Sequence, residues 1–291
     1  MRTKAFLLII SVLVTVSLFV GCETSTGPSD DEGDIERSIG EGGKYNAYFS
    51  PLDFGSGDQD SPPGTLGGPE DEATPPEGWY RDPHVGITWD AWVHFSDANN
   101  ADVLVYWYIK GNMYVDRDFD GEWEPGSKSF DLTCTKEGKF VKQNDEWVLT
   151  HITPGEFRLT EGDQTVEIES VKIESTNFNR TYTDPQEMIP LGELPHFQPG
   201  DEVTVTVMAT NESDKWTPEC FAYIHHDWWR EPMTNTEAET YVKKYTIGSE
   251  ERVHHGCADV LDAQTLMTES GDDYNGSAWA MPYLVGNVPT I

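Results

Sequence analysis

The chain is poor in several residue types on which common protein chemistry depends. Of its 291 residues only 19 are Lys or Arg, against 52 Asp or Glu, for a formal charge of −33. A field of that sign repels phosphate backbones and anionic headgroups, which excludes a nucleic-acid role. Cysteine is scarce too, four in all. No apolar run reaches the ~20 residues that a helix needs to cross a bilayer core. Helical periodicity is rare: beyond the N-terminus only DPQEMIPLGEL (184–194) holds a turn or two. No nucleophile elbow, phosphate-binding glycine loop or Ser/His/Asp pattern is present. Paired carboxylates for glycoside hydrolysis cannot be singled out where 52 acids supply pairs everywhere.

What is there begins at the N-terminus. Met-Arg-Thr-Lys is basic, Ala5 to Val20 is apolar apart from Ser11, Thr15 and Ser17, and Gly21-Cys22 ends the run. A basic start, an apolar stretch too short to span and a small residue before the cut mark an export signal over residues 1–21. Phe19-Val20-Gly21-Cys22 resembles the bacterial lipobox, with Phe19 where Leu is more usual. The resemblance implies that Cys22 is acylated and becomes the first residue of an exported, lipid-anchored protein of the cell envelope. A lipid holds a chain at a membrane without a spanning helix. Glu23 after the cysteine, rather than Asp, favours the outer membrane or cell surface. Loss of residues 1–21 removes Arg2 and Lys4 and no acid, so the mature chain is more acidic still.

Residues 23–43 are small, polar and acidic and read as a flexible tether. KYNAYFSPL (44–52) is an aromatic island able to dock on the body, and 53–78, dense in Pro and Gly, reads as an extended spacer, so that 22–78 is mostly disordered. From Trp79 the pattern becomes that of strands: GITWDAWVHF (86–95), ADVLVYWYIK (101–110), GNMYVD (111–116) and 128–154, with a turn at Gln143-Asn144-Asp145. These form one antiparallel unit over 79–160. F-V-K-x-x-x-x-W-x-L-x-x-I-x-P, from Phe140 to Pro154, resembles the last strands of NTF2-like domains and implies a curved sheet. Six further strand signals in 162–291, separated by turns such as Pro199-Gly200-Asp201, predict an antiparallel sandwich. Gly-Asp-x-Val-x-Val-x-Val (200–207) resembles a strand of immunoglobulin-like envelope domains. The expected fold is mainly β: a curved antiparallel sheet followed by an immunoglobulin-like β-sandwich, behind a signal peptide and a disordered tether.

Export places Cys134, Cys220 and Cys257 in an oxidising compartment. Three cysteines allow one bridge, and Cys220–Cys257 is the expected pair because both fall in strands of the C-terminal unit, leaving Cys134 free and buried. DRDFDG (116–121) matches the first half of a calcium loop. Alternate carboxylates of Asp116, Asp118 and Asp120 converge on one hard cation there, Gly121 permits the turn, Glu122 offers its carbonyl and Glu124 its carboxylate or a water. Ser127 stands where a bidentate Glu is usual, and an acidic hairpin turn is the alternative. His225-His226 and His254-His255 invite zinc, but neighbours on a strand face opposite ways, so each pair lends one ligand to a site, beside Asp227, Asp259 or Cys257. Trp228-Trp229, with Trp89, Trp92, Trp107, Tyr106 and Tyr108, either form a stacking surface for sugars or fill a core.

These features point to a membrane-anchored envelope or surface lipoprotein with a non-catalytic binding, display or adhesion role. Calcium is the one cofactor in view; the membrane, through the lipid, and an envelope protein or glycan are the partners. The alternatives are a metal-dependent hydrolase built on the two His pairs and a glycan-binding module.

Overall fold

Alternation of apolar and polar residues sets up three long antiparallel strands, β1 (Gly78–Asp97), β2 (Asn100–Asp116) and β3 (Gly126–Gln143). The computed structural model describes residues 29–50, 78–117, 122, 124–212, 219–226, 229–237, 239–268 and 274–288. Along β2 the odd-numbered residues from Ala101 to Val115 are buried and the even-numbered ones from Asp102 to Tyr114 are not, so one face packs inward and the other meets solvent. The stretches 101–110 and 111–116 are one strand. A Cβ on Gly111 would stand 2.0 Å from the Asp82 carbonyl oxygen, where β1 shifts register between Asp82 and Gly86. Glycine lets β1 bulge across β2 at that point.

The turn expected at 143–145 is present. Gln143 pairs with Glu146 around Asn144 and Asp145, whose φ angles are 52° and 65°, as in a two-residue hairpin that Asn and Asp tolerate. β4 (Glu146–Ile152) and β5 (Gly155–Leu159) then share one edge of β3. There follow β6 (Val166–Glu174), β7 (Asn179–Tyr182), β8 (Ile189–Pro190), β9 (His196–Phe197), β10 (Glu202–Asn211) and β11 (Cys220–His226). The last are β12 (Trp229–Pro232), β13 (Thr234–Glu237), β14 (Thr240–Thr246), β15 (Val253–Asp262) and β16 (Gly276–Val285).

The chain is mainly β, with a curled antiparallel sheet and a second sheet. The first runs β1-β2-β3-β5-β16-β15-β11-β12, with β4, β8 and β9 attached beside it; the second runs β13-β14-β10-β6-β7. The boundary expected near residue 161 does not separate two units. β5 pairs with β16, so the curled sheet draws strands from both halves of the chain. Of the strands beyond residue 161, β6, β7, β10, β13 and β14 form the second sheet, while β11, β12, β15 and β16 extend the first. Val171, Ile173 and Val205 of the second sheet line one small cavity with Ile224, Ala258 and Met281 of the first. Every residue of β15 and β16 is buried, because these strands face the curl on one side and the second sheet on the other. The two ends of the first sheet also meet. Trp79 packs edge-on against Tyr223 with ring centroids 5.0 Å apart, and Arg230 donates to the Trp79 carbonyl and lies 3.7 Å over its ring.

Residues 29–50 are not a tether. They form α1 (Ser29–Ile39) and α2 (Asn46–Phe49). Asp30, Asp31 and Glu32 occupy the first turn of α1, where carboxylates favour the positive end of the helix, and Asp31 accepts from Lys142 at 2.8 Å. The only apolar side chains of α1, Ile35 and Ile39, are four residues apart and both buried. Too few for a core by count, they are placed for one helix face. The aromatic island docks: Tyr45 meets Phe140 edge-on at 5.4 Å and Phe49 stacks on Phe140 at 6.4 Å. Gly138 leaves the room, since a Cβ there would fall 2.6 Å from the Phe49 ring. The signal segment, Cys22 and the spacer at 51–77 lie outside the described residues.

Phe49→Ala should therefore cost about 3–5 kcal/mol of stability, the usual loss for a buried Phe, measured by urea unfolding of the whole chain. A loss below ~0.5 kcal/mol, typical of a surface residue, would return this segment to the status of a tether.

Candidate functional site

Residues two apart on a strand share a face, so β15 sets His255, Cys257 and Asp259 in one inward row. Its register with β11 puts His225 beside Cys257 and Tyr223 beside Asp259. Asp259, 1% exposed, accepts two bonds from Arg81, 2% exposed: Nη1 to Oδ2 at 2.7 Å and Nη2 to Oδ1 at 3.0 Å. His225 Nε2 also donates to Asp259 Oδ2 at 3.0 Å, and the Tyr274 hydroxyl accepts from Arg81 Nε at 3.1 Å and Nη2 at 2.8 Å. A second group lies nearer α2. Lys136 Nζ donates to the Tyr48 carbonyl and to His255 Nε2, each at 2.7 Å.

Burial alone would raise the Asp259 carboxyl, but the Arg81 cation and the His225 bond hold it well below the usual carboxylate range. Burial pushes His225 down, with Asp259 opposing and Arg230 and Arg81 adding to the fall. Burial and the Lys136 cation together push His255 well below its ordinary value, with His254 and Arg252 contributing in the same sense. Desolvation raises the Cys134 and Cys220 thiols to about 12, which keeps them protonated and poor nucleophiles. The interior thus holds ionisable groups that satisfy one another out of solvent.

The expected Cys220–Cys257 bridge is absent. Cys220 stands opposite Asp262 and Cys257 opposite His225, five positions apart on the ladder. At ~3.4 Å per residue that offset is far beyond the Cα separation of a disulfide. Sharing a pair of strands does not make two cysteines partners; register decides.

The histidine pairs divide across the sheet as alternation requires. His225 and His255 turn inward to different partners. His226 stacks on Tyr245 at 3.9 Å and donates to Glu231 at 2.9 Å, while His254 stacks on Tyr283 at 5.3 Å and donates to the Glu250 carbonyl at 2.8 Å. Among the described residues no three His, Cys, Asp or Glu are grouped to hold a metal ion, so the zinc site weighed as an alternative for these pairs is not assembled there. Of the calcium residues, Asp116 is 3% exposed and its Oδ2 has no hydrogen-bond partner among the described residues, whereas Glu122 and Glu124 are exposed. Asp118 and Asp120 lie outside the described residues, as do Asp227, Trp228 and the Trp229 side chain.

The remaining aromatics sort by parity. Trp107 turns inward at 8% exposed, and Trp89 on the same face lies 5.9 Å from it. Trp92 points outward at 67% exposed. On the same outer face Tyr106 and Tyr108 lie 6.4 Å apart with ring planes 19° from parallel, and Tyr80 and Tyr114 lie 4.9 Å apart at 23°.

Compared with protein-family models, with curated proteins and with solved structures, the chain matches none. The NTF2-like and immunoglobulin-like likenesses of its short motifs therefore carry no further argument. Arg81, Lys136 and Tyr274 are central to the interior and were not singled out from the sequence. One signal for Lys136 was available: it falls in phase with Phe130, Leu132 and Cys134 on β3, so alternation sends it to the core.

Two buried neutral histidines make the fold acid-sensitive. Their folded values lie below ~6.5, the unfolded value. Stability is complete above that pH and is lost as pH falls through it, because the unfolded chain then binds protons that the folded one does not. The limiting slope is about 1.4 kcal/mol per pH unit for each histidine. His255→Gln should remove one proton's worth of slope between pH 6.5 and 5 in urea unfolding; an unchanged slope would show that His255 is not held neutral.

Proposed function

We propose that the chain is a non-catalytic binding or display protein of the cell envelope, held at a membrane by a lipid on Cys22 and stabilised by calcium. One contrast carries this reading. Arg81, Asp259, His225, Lys136 and His255 are buried and engaged with partners in the interior, whereas Trp92 is exposed and the tyrosines of β1 and β2 lie half-buried on the face that meets solvent. A catalytic acid or base has to reach the proton it moves, and large exposed aromatics are a mark of recognition surfaces. Ser29 begins α1 seven residues after Cys22, no more than ~25 Å of chain. A lipid at Cys22 would hold the helical segment close to the bilayer and present the sheet beside it, with the outer membrane or cell surface as the favoured location. The Asp116 Oδ2, without a hydrogen-bond partner among the described residues, supports calcium at Asp116, Asp118 and Asp120, with Glu122 and Glu124 completing the shell.

Expressed with its leader in a bacterial host, the chain should take up an alkyne-palmitate label and partition into detergent, and Cys22→Ala should lose both. Label retained by Cys22→Ala would refute the anchor. Millimolar calcium added after chelator should raise the melting temperature, by ~2.7 kcal/mol of stabilisation at 100 times the dissociation constant. Asp118→Asn should abolish the rise; a melt indifferent to calcium removes the cation from the proposal.

A further inference from the structure

We propose that the solvent face of β1–β2–β3 is a binding track for a neutral polysaccharide chain lying along β2, an inference that rests on the binding role above and names its ligand class. The face is open: the even-numbered residues of β2 from Asp102 to Tyr114 are half-buried or exposed, while the second sheet packs elsewhere, on β15 and β16. Aromatic groups form its spine. Trp92 stands opposite Leu104, and Asp90 and Thr88 stand opposite Tyr106 and Tyr108. Trp92 is thus the diagonal neighbour of Tyr106, a separation of ~7–8 Å that large side chains bridge. Trp92, Tyr106 and Tyr108 make a row, the two tyrosines nearly parallel and 6.4 Å apart. A pyranose ring has a face of C–H bonds that stacks on such rings, and successive rings in register suit successive sugars of a linear chain.

The margins supply what sugar hydroxyls need. Thr88 and Asp90 flank the tyrosines from β1, and Thr133 and Thr135 from β3. Hydroxyls both donate and accept, and a carboxylate accepts, so the flanks can satisfy ligand hydroxyls of either sense. Charge fixes the class of chain. Asp90, Asp102, Asp131 and Glu137 lie on this face, and its Lys110 is paired with Asp131 at 2.5 Å. The exposed Lys139 of β3 also stands on this face, opposite Asp102, so these four carboxylates outnumber the two lysines. In a protein of formal charge −33 a uronate or sulfated polymer would meet net repulsion along the track, and the ligand is uncharged. The track is an aromatic row flanked by hydroxyls. Protein partners are gripped instead by anchors buried in pockets.

The test is native affinity electrophoresis of the full mature chain, carrying Cys22→Ala for solubility, through gels containing xyloglucan, mixed-linkage β-glucan, galactomannan or dextran, with polygalacturonate as the anionic control. At least one neutral polymer should retard the protein and polygalacturonate should not. Trp92→Ala, a change at an exposed residue, should weaken that retardation tenfold or more with an unchanged melting temperature, and Tyr106→Ala with Tyr108→Ala should do the same. Ile87→Ala, on the opposite face of β1, should leave it intact. No retardation by any neutral polymer, retardation insensitive to Trp92→Ala, or equal retardation by polygalacturonate overturns the proposal. Cys22-dependent labelling reads the membrane anchor independently, so failure of the track is distinguishable from failure of the anchor.

Discussion

An arginine removed from water needs its carboxylate, and the shape of this molecule follows from where the two are placed. Arg81 is near the start of the first strand and Asp259 is 178 residues later, on the sixth strand of the sheet, five places along. Their bidentate contact forms only if the sheet curls until its ends approach. The bulge at Gly111, the Trp79–Tyr223 contact and the reach of Arg230 to the Trp79 carbonyl all serve that closure. A buried ion pair adds little net free energy over an apolar core, but leaving either charge alone costs about 3–5 kcal/mol. The pair thus acts chiefly against alternative arrangements of the strands.

The closure places a double demand on β15. Inward it carries His255, Cys257 and Asp259; outward, Gly256, Ala258 and Val260. The small outward residues let the second sheet come close, and the polar inward ones are tolerable because each has a partner. Lys136 and His255 show the same economy: the ammonium donates to a neutral imidazole and to the Tyr48 carbonyl, so the α2 segment seals a charge the sheet could not hold unaided. The helices at the N-terminus are for this reason part of the core, although their composition is that of a linker.

Alternation over 101–110 and Asn-Asp at the hairpin were enough to read the β class and one turn from sequence, because strand period and turn chemistry are local; the curved sheet came only from the likeness of Phe140–Pro154 to NTF2-like strands. The sharing of strands between two sheets was hidden, since it depends on β5 pairing with β16, more than a hundred residues away. α1 was missed because composition was weighed over the four-residue spacing of Ile35 and Ile39. That His225 and His226, and likewise His254 and His255, face opposite ways followed from alternation; which of each pair turns inward did not. Nor did their partners, because Arg81, Lys136 and Tyr274 come from distant segments. A register of five positions, invisible before the ladder is known, separates Cys220 from Cys257.

Interior and surface differ in what they do with their side chains: charged groups of the interior hold the curl, and the outer face of β1 and β2 carries Trp92 and the tyrosines on which the proposed ligand would lie. The most direct test of the first half is a double-mutant cycle on Arg81→Met and Asp259→Leu, read by urea unfolding at pH 7.5. Each single change should cost about 3 kcal/mol or more, and the double should recover most of it, a coupling above ~2 kcal/mol. Effects additive to within ~0.5 kcal/mol would contradict the account, since residues that do not act on each other add in that way.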